Sequence, residues 1–402
     1  MKKRIISSFL ILFCMIFVAG CSTNDDVNKS DANTSKYSIK VTDIDGEEIG
    51  YKEININAYD TLIDALNAEF EVVSTNSEWG TTLISINSSI TDPNYYLAIY
   101  ENGEYALTGV DGLIIDANDS FEFVVECFNT IESGYGTLDE YDLLVDKLIY
   151  NYAKNYMQDS LSNSNSYTDS IYWDMMSINL MLSFSYDKNA FNTNSVTNEF
   201  INSLNNTDFS TLNGANIGKY YYAASALNLD LNEFKSFYED YITNTISEEY
   251  SEWTMPFIMS PAKKLGLTSD KLNALINTDY LAATTWGIDG IAWQATSLQL
   301  FDKYNTDILI NFPAADYGNG ASTALALLPY AALNENVRDS KYEQNSSDLI
   351  EILIDNYYDE ELCLLKYSKN DTAVNMSTNQ IYAALMAYKA QRDYNKAANI
   401  FA

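Results

Sequence analysis

The spacing of apolar residues divides most of the chain into two regions. Between residues 37 and 126 most apolar runs are short and alternate with polar residues, which is the pattern of half-buried strands. Only residues 61–70 have their apolar positions at helical spacing. From Leu138 onward apolar residues recur every three or four positions, which is typical of helices. The pattern predicts a β-rich domain over residues 37–128 and a helical domain over residues 138–402.

The β-rich region carries the signals of a compact α+β fold. Alternating runs at residues 37–42 and 51–57 predict two strands ahead of the helix, and further runs follow it. Asn102-Gly103 lies between two such runs and predicts a tight hairpin. About ninety residues of this kind are enough to enclose a core. We therefore expect a multidomain α+β protein whose first domain is small, β-rich and β-grasp-like.

Two kinds of helix alternate in the second region. One kind is apolar on nearly every side and must be enclosed, whereas the other has one apolar stripe and covers it. The enclosed kind begins near residues 170, 213, 253, 289, 318 and 376, which corresponds to one helix pair per repeat. Six pairs would close into an (α/α)6 toroid. Residues 301–318 leave little room for a covering helix, so an open helical solenoid is the alternative.

The first residues are typical of an export signal. Lys2, Lys3 and Arg4 precede an apolar run at residues 5–18 that is too short for a membrane span. The sequence Val18-Ala19-Gly20-Cys21 that follows resembles a bacterial lipobox. This resemblance implies cleavage of residues 1–20, lipidation of Cys21, and a polar tether over residues 21–36. The protein would then be anchored on the extracellular face of the cell membrane; an ordinary cleaved signal with an incidental Cys21 is the alternative.

Composition removes several classes of function. Lys and Arg number 23 against 56 Asp and Glu, a formal net charge of −33, so nucleic acid is not an expected partner. The chain has no histidine, which excludes Ser-His-Asp and Cys-His catalysis and histidine-containing zinc sites. We therefore predict no metal site and no enzyme activity. The 32 tyrosines offer flat area with a hydroxyl, which suits a binding surface.

Several motifs of the β-rich region stand in an order that points to a family. They are Trp79-Gly80, Asn94-Tyr95-Tyr96, Asn102-Gly103, Thr108-Gly109-Val110 and Asn118-Asp119. Over residues 37–126 this order resembles the C-terminal domain of the transcobalamin and intrinsic-factor proteins. The sequence departs at Leu97, where the family usually has Trp, and at Ser88, where it often has Gly. The resemblance implies ligand contacts from Trp79, Tyr95, Tyr96, Thr108 and Gly109. Tyr96 could instead belong to the core, and Gly109 inside a strand indicates a bulge or a close backbone approach.

The helical pattern resembles the toroid shared by terpene cyclases, prenyltransferases and the large domain of the transcobalamin family. In such a ring the enclosed helices present their N-termini, with free N–H groups, at one mouth. The candidate ligand residues there are Trp173, Asp174, Asn216, Asp289, Trp293, Gln294, Asn319, Thr378 and Gln380. Asp174, Asp289 and Thr378 could instead cap their helices. Trp173 and Trp293 could be core residues.

Together the two resemblances imply a corrinoid-binding lipoprotein. In the transcobalamin family the two domains clasp cobalamin between them, and here they occur in the reverse order. With no histidine, no imidazole can ligate cobalt, so recognition would use the amide-rich periphery of cobalamin or a related corrinoid. An uptake transporter would be the receiving partner. The alternatives are a surface adhesion protein for a protein or glycan, and a toroid enzyme using carboxylates such as Asp174, Asp289 and Asp316.

Overall fold

The chain folds as a mixed α+β protein with a β-rich region followed by a helical one. A computed structural model describes residues 35–77, 80–90, 95–127, 138–165, 171–186, 191, 193–246, 253–278, 287–368, 370 and 376–402. Within these residues no helix has both the length and the apolar composition needed to cross a membrane.

The β-rich region consists of a mixed sheet, one helix and a separate hairpin. Its elements are β1 (Lys36–Thr42), β2 (Glu48–Asn55), α1 (Leu62–Glu69), β3 (Val72–Ser77), β4 (Gly80–Ile86), β5 (Tyr95–Glu101), β6 (Glu104–Tyr105) and β7 (Ser120–Cys127). The sheet has the order β2-β1-β7-β5-β6, with β1 parallel to β7 and the other neighbours antiparallel. Strands β3 and β4 pair only with each other among the described residues.

Local sequence signals explain these elements. Tyr37, Ile39 and Val41 of β1 are buried on alternate positions, as the period of two requires. Asn102 and Gly103 both have positive φ values, 53° and 82°, which a tight hairpin turn between β5 and β6 demands. Thr61 caps α1 by accepting a hydrogen bond from the Asp64 backbone N–H.

The helical region follows after residue 137. Its elements are α2 (Glu140–Asn151), a π-helical continuation (Tyr152–Met157), α3 (Gln158–Asn163), α4 (Tyr172–Ser183), α5 (Asn198–Asn205), α6 (Gly214–Ala226), α7 (Asn232–Asp240), α8 (Met255–Lys264), α9 (Asp270–Asn277), α10 (Gly287–Gln299), α11 (Gly320–Leu325), α12 (Leu328–Leu333), α13 (Leu349–Tyr357) and α14 (Met376–Tyr394). Two short strands, β8 (Tyr358–Asp359) and β9 (Leu364–Leu365), pair between α13 and α14.

The enclosed helices begin within two residues of the predicted positions. They are α4, α6, α8, α10, the consecutive pair α11 and α12, and α14. Each contacts the next in this order, and α14 also contacts α4, so the contacts return to their starting point. Gly218 lets α6 approach α8, because a Cβ there would lie 2.5 Å from Phe257 Cβ. Between α10 and α11 the chain forms a short 3-10 helix (Thr306–Asn311), which fits the limited room predicted there.

The β-rich region rests on the side of α2 and its π-helical continuation. Asp43, just after β1, accepts hydrogen bonds from Tyr150 Oη (3.2 Å) and Lys154 Nζ (2.8 Å). Tyr95 Oη donates to Asp146 Oδ2 at 3.2 Å. These contacts use the end of the sheet where β1 and β7 finish and β5 begins.

Candidate functional site

The predicted ligand residues of the β-rich region do not share one environment. Trp79 lies outside the described residues. Tyr95 is buried and its hydroxyl binds Asp146 of the helical region. Tyr96 is half-buried on the opposite face of β5, where its hydroxyl donates to Glu126 Oε2 at 2.8 Å, so it is not a core residue. Tyr100 donates to the other oxygen of Glu126.

Thr108 and Gly109 lie in an exposed turn. The expectation that Gly109 lies inside a strand is wrong: it precedes a 3-10 turn at Val110–Gly112. Its φ of −68° suits any residue, and nothing lies within 4 Å of a Cβ built there. No close backbone approach therefore explains this glycine. Leu107 beside it is 96% exposed, which marks this turn as an apolar surface feature.

Three tryptophans, from the starts of α4 and α8 and from the middle of α10, meet in one cluster. Trp293 of α10 stacks on Trp253, at the start of α8, with a centroid distance of 4.9 Å and an interplanar angle of 18°. Its Nε1 donates to the Trp253 backbone carbonyl at 3.1 Å. Trp173 of α4 lies 4.8 Å from Trp293. Because Trp173 and Trp293 are fully buried, they belong to the core, and Trp253 alone of this cluster keeps exposed area.

Trp253 is a candidate that the sequence analysis missed. Its signal was available, since Trp253 opens an enclosed helix just as Trp173 does. A partly exposed indole held flat by a buried neighbour is a ready surface for stacking.

Asp174 holds helices together rather than capping one. It accepts hydrogen bonds from Tyr152 Oη at 2.7 Å and from Asn379 Nδ2 at 2.9 Å. The N-cap position of α4 is Ile171, so the capping alternative for Asp174 is wrong. Full burial raises the pKa of Asp174 to about 7, although the hydrogen bonds from its partners oppose that shift.

The remaining polar candidates fall into capping residues and buried residues. Asn319 is the N-cap of α11 and accepts from Ser322 N at 2.9 Å. Asn216 is half-buried in the first turn of α6, and its backbone N–H donates to Asn213 Oδ1. Thr378 and Gln380 are buried in the first turns of α14.

Gln294 is the most informative of these side chains. It is 0% exposed, and neither its amide oxygen nor its amide nitrogen has a hydrogen-bond partner among the described residues. Asp289, half-buried in the first turn of the same helix, likewise has one carboxylate oxygen without such a partner, and burial raises its pKa. Unpaired buried polar groups are rare because each costs about 1–3 kcal/mol. Asp289 and Gln294 thus both leave side-chain polar atoms of α10 without a partner among the described residues.

Tyr95 does not lie beside the predicted residues at the start of α14. Asp146, which binds Tyr95, also binds Lys389 Nζ at 2.9 Å, near the C-terminal end of α14. Thr378 lies at the other end of α14, eleven residues away along the helix. At 1.5 Å per residue the two ends are about 16 Å apart. Tyr95 therefore faces the helical region far from the first turns that carry the other candidates.

A cavity of about 40 Å³ lies between the β-rich region and the helices. Its walls include Ile44, Ile90, Tyr95, Ile149, Met181 and Tyr186. A volume of this size holds a few water molecules at most. This cavity is too small for a corrinoid.

Metal and thiol chemistry find no support in the described residues. There, no three carboxylate, thiol or imidazole groups come close enough to hold a metal ion. Cys127 and Cys363 are both half-buried. Burial raises the pKa of the Cys363 thiol, which lowers its reactivity.

The comparisons with known proteins give little. No family model matches the chain. No curated protein matches it either. Among solved structures, it is similar to the crystal structure of a "putative metal binding protein" from Ruminococcus gnavus, with 20% sequence identity and a TM-score of 0.22. That similarity covers 23% of this chain and 97% of the other, and it carries no argument about fold or function.

Proposed function

We propose that this chain is a lipid-anchored extracellular protein that binds cobalamin or a related corrinoid at its enclosed helices, beside Gln294 of α10 and the tryptophan cluster. In this proposal the helical region is an (α/α)6 toroid, supported by the cycle of contacts from α4 round to α14 and back. The β-rich region is β-grasp-like, supported by the sheet order and by the parallel pairing of β1 with β7. Lipidation of Cys21 and delivery to an uptake transporter complete the proposal.

The unpaired amide of Gln294 is the observation that carries the proposal. A ligand that both donates and accepts hydrogen bonds would satisfy this buried primary amide. The periphery of a corrinoid carries amide groups that do both. Trp253 would supply a flat apolar contact beside them. With no histidine in the chain, the cobalt would keep its own base or a water molecule.

This arrangement differs from a clasp between two domains. The β-rich region docks on the side of α2 and its π-helical continuation, and its residue Tyr95 contacts the helical region near the C-terminal end of α14. The helical region therefore supplies the binding groups, and the β-rich region supports it from the side. A binding site formed by the helical region alone would need little rearrangement of the protein on binding, which favours affinity.

The first experiment measures binding directly. Protein comprising residues 22–402 is mixed with cyanocobalamin and separated by gel filtration, with absorbance read for the bound chromophore. We expect cyanocobalamin to elute with the protein. If micromolar protein carries no chromophore, the corrinoid proposal is wrong.

A matched pair of variants tests the role of Gln294. Gln294→Leu removes both unpaired atoms, so we expect at least tenfold weaker corrinoid binding together with unchanged or higher stability. Gln299→Leu makes the same change at the last residue of α10, where one side-chain oxygen is also unpaired among the described residues. Binding should survive Gln299→Leu. Equal effects of the two variants would show that Gln294 does not contact the ligand.

Adhesion to a protein or glycan is the second candidate. It is favoured by the exposed turns of the β-rich region, where Leu107 is 96% exposed and Ile114 is 75% exposed. If no corrinoid binds, Leu107→Asp with Ile114→Asp should abolish attachment of the protein to its target surface. Ile310→Asp is the matched control, since Ile310 is 84% exposed in the helical region.

A further inference from the structure

Residues 398–402 run through the middle of the cycle of enclosed helices. The backbone N–H of Ala398 donates to the Ala331 carbonyl of α12 at 2.8 Å. Tyr222 of α6 donates its hydroxyl to the Phe401 carbonyl at 2.8 Å. Asn179 of α4 donates to the Ala402 carbonyl at 3.3 Å. Since α4, α6 and α12 are different members of the cycle, a segment that contacts all three lies inside it.

Asn399 fixes this segment to α10. Its Nδ2 donates to the Thr296 carbonyl at 2.6 Å, and its Oδ1 accepts from the Phe401 N–H at 3.0 Å. In a regular helix the Thr296 carbonyl would accept from Leu300, but the Leu300 N–H bonds to Ser297 instead. Because α10 ends in a 3-10-type turn, the Thr296 carbonyl has no backbone donor within the helix, and the side chain of Asn399 donates to it instead.

The ring of Phe401 packs against the tryptophan cluster. It meets Trp293 edge to face, with a centroid distance of 4.4 Å and an interplanar angle of 71°. Trp293 in turn stacks on Trp253, the partly exposed member of the cluster, and directly precedes Gln294 in α10. A chain of packed contacts thus joins the segment to the groups at which we place the ligand.

We propose that residues 398–402 form the floor of the ligand site and that Phe401 is a positioning residue. Its ring holds the Trp293 indole in the plane that keeps Trp253 available for stacking. The segment also sets the depth of the site, because its buried side chains occupy the centre of the cycle. The part of this inference that concerns ligand affinity rests on the proposed function, whereas the part that concerns the tryptophans does not.

Phe401→Ala tests the inference against an equally buried phenylalanine. Phe200→Ala is the control, because Phe200 is also fully buried but lies on the covering helix α5. Two readouts are compared, the near-ultraviolet circular dichroism of the tryptophans and the dissociation constant for cyanocobalamin. We expect Phe401→Ala to reduce the indole signal by at least half and to weaken binding at least tenfold. Phe200→Ala should lower the midpoint of unfolding without changing either readout.

Two further variants keep the test decisive. Phe401→Leu fills most of the space and should recover most of the binding. Tyr222→Phe removes only the hydrogen bond to the Phe401 carbonyl and should give a smaller change of the same kind, so it serves if Phe401→Ala does not fold. The inference is overturned if the Phe401 and Tyr222 variants, like Phe200→Ala, leave the near-ultraviolet signal of the tryptophans unchanged. Because that signal needs no ligand, the result stands apart from whether corrinoid binds.

Discussion

Buried polar residues of the helical region differ in how completely they are paired. Lys389 Nζ binds Asp146 at 2.9 Å and Asp393 at 2.7 Å, and Arg392 reaches the same two carboxylates. Every charge of this group has an opposite charge beside it, as deep burial requires. Gln294 has no such partner among the described residues. Gln294 is the one side chain of this kind with both its donor and its acceptor unpaired among the described residues, which is why the ligand proposal is placed there.

Asp174 gives a prediction about pH. Its pKa of about 7 in the folded protein lies above the ordinary value of 3.8, so the folded state binds its proton more tightly than the unfolded state. The stability that this proton contributes is complete below pH 3.8 and is lost as the pH rises through 7. Between pH 3.8 and 7 the free energy of unfolding of Asp174→Asn should therefore rise relative to that of the natural protein. The total change is on the order of 4 kcal/mol, at about 1.4 kcal/mol per pKa unit. Urea unfolding at several pH values measures the difference.

Asp393 is a control in which the pKa of a buried carboxyl is shifted in the opposite direction. The Lys389 and Arg392 charges beside it outweigh its burial and lower its pKa to about 2. Its contribution is present at neutral pH and is lost only as the pH falls through about 2. Asp393→Asn should therefore destabilise the protein at pH 7. If the difference in stability between Asp174→Asn and the natural protein does not change with pH, the carboxyl of Asp174 is not buried in the folded state.

The sequence predicted those helices, strands and turns that local periodicity and turn chemistry encode. The starts of the enclosed helices and the Asn102-Gly103 turn follow from spacing and turn chemistry, and the structure has them. Gly109 was misplaced because the short strand β6 ends at Tyr105, which the alternation of residues did not reveal. Residues 398–402 were missed for another reason. Five residues have no measurable period, and only the contacts with distant helices fix them.

Helix α13 shows how one residue can fix an element in place. Asp348 is its N-cap and accepts from the Ile350 and Glu351 N–H groups, while Glu351 completes a capping box. The same carboxylate accepts from Arg338 Nε at 2.8 Å, and Asp348 is buried. It therefore both starts the helix and pairs a guanidinium.

Asp348→Ala should cost about 2–4 kcal/mol, because it removes a cap and leaves Arg338 short of a partner. Urea unfolding measures the loss. Ser269→Ala is the matched control, since Ser269 caps α9 through the Leu272 N–H without a charged partner, and it should cost only about 1 kcal/mol. Similar costs for the two variants would mean that the pairing with Arg338 adds nothing to the cap.

Specific contacts around Asp43 hold the β-rich region on α2. The chain is strongly acidic, with a net charge of −33, so two acidic regions repel each other unless specific contacts oppose it. Asp43 is the centre of those contacts. Its side chain is 0% exposed, and it accepts from Tyr150 and Lys154 across the contact as well as from the Asp45 and Glu47 N–H groups of its own turn.

The combined variant Tyr150→Phe with Lys154→Met separates the contacts that Asp43 makes with the helical region from those it makes within its own turn. It removes both donors on the helical side and leaves the turn around Asp43 intact, so the buried carboxylate loses its counter-charge at a cost of about 3–5 kcal/mol. We expect the β-rich region to leave α2 so that the carboxylate regains water. Small-angle scattering should then give a larger radius of gyration with unchanged far-ultraviolet circular dichroism. Lys36→Met, which breaks an exposed pair with Glu53 inside the β-rich region, should change neither. If the combined variant keeps the natural radius of gyration, apolar packing around Tyr95 and Ile149 holds the two regions together without Asp43.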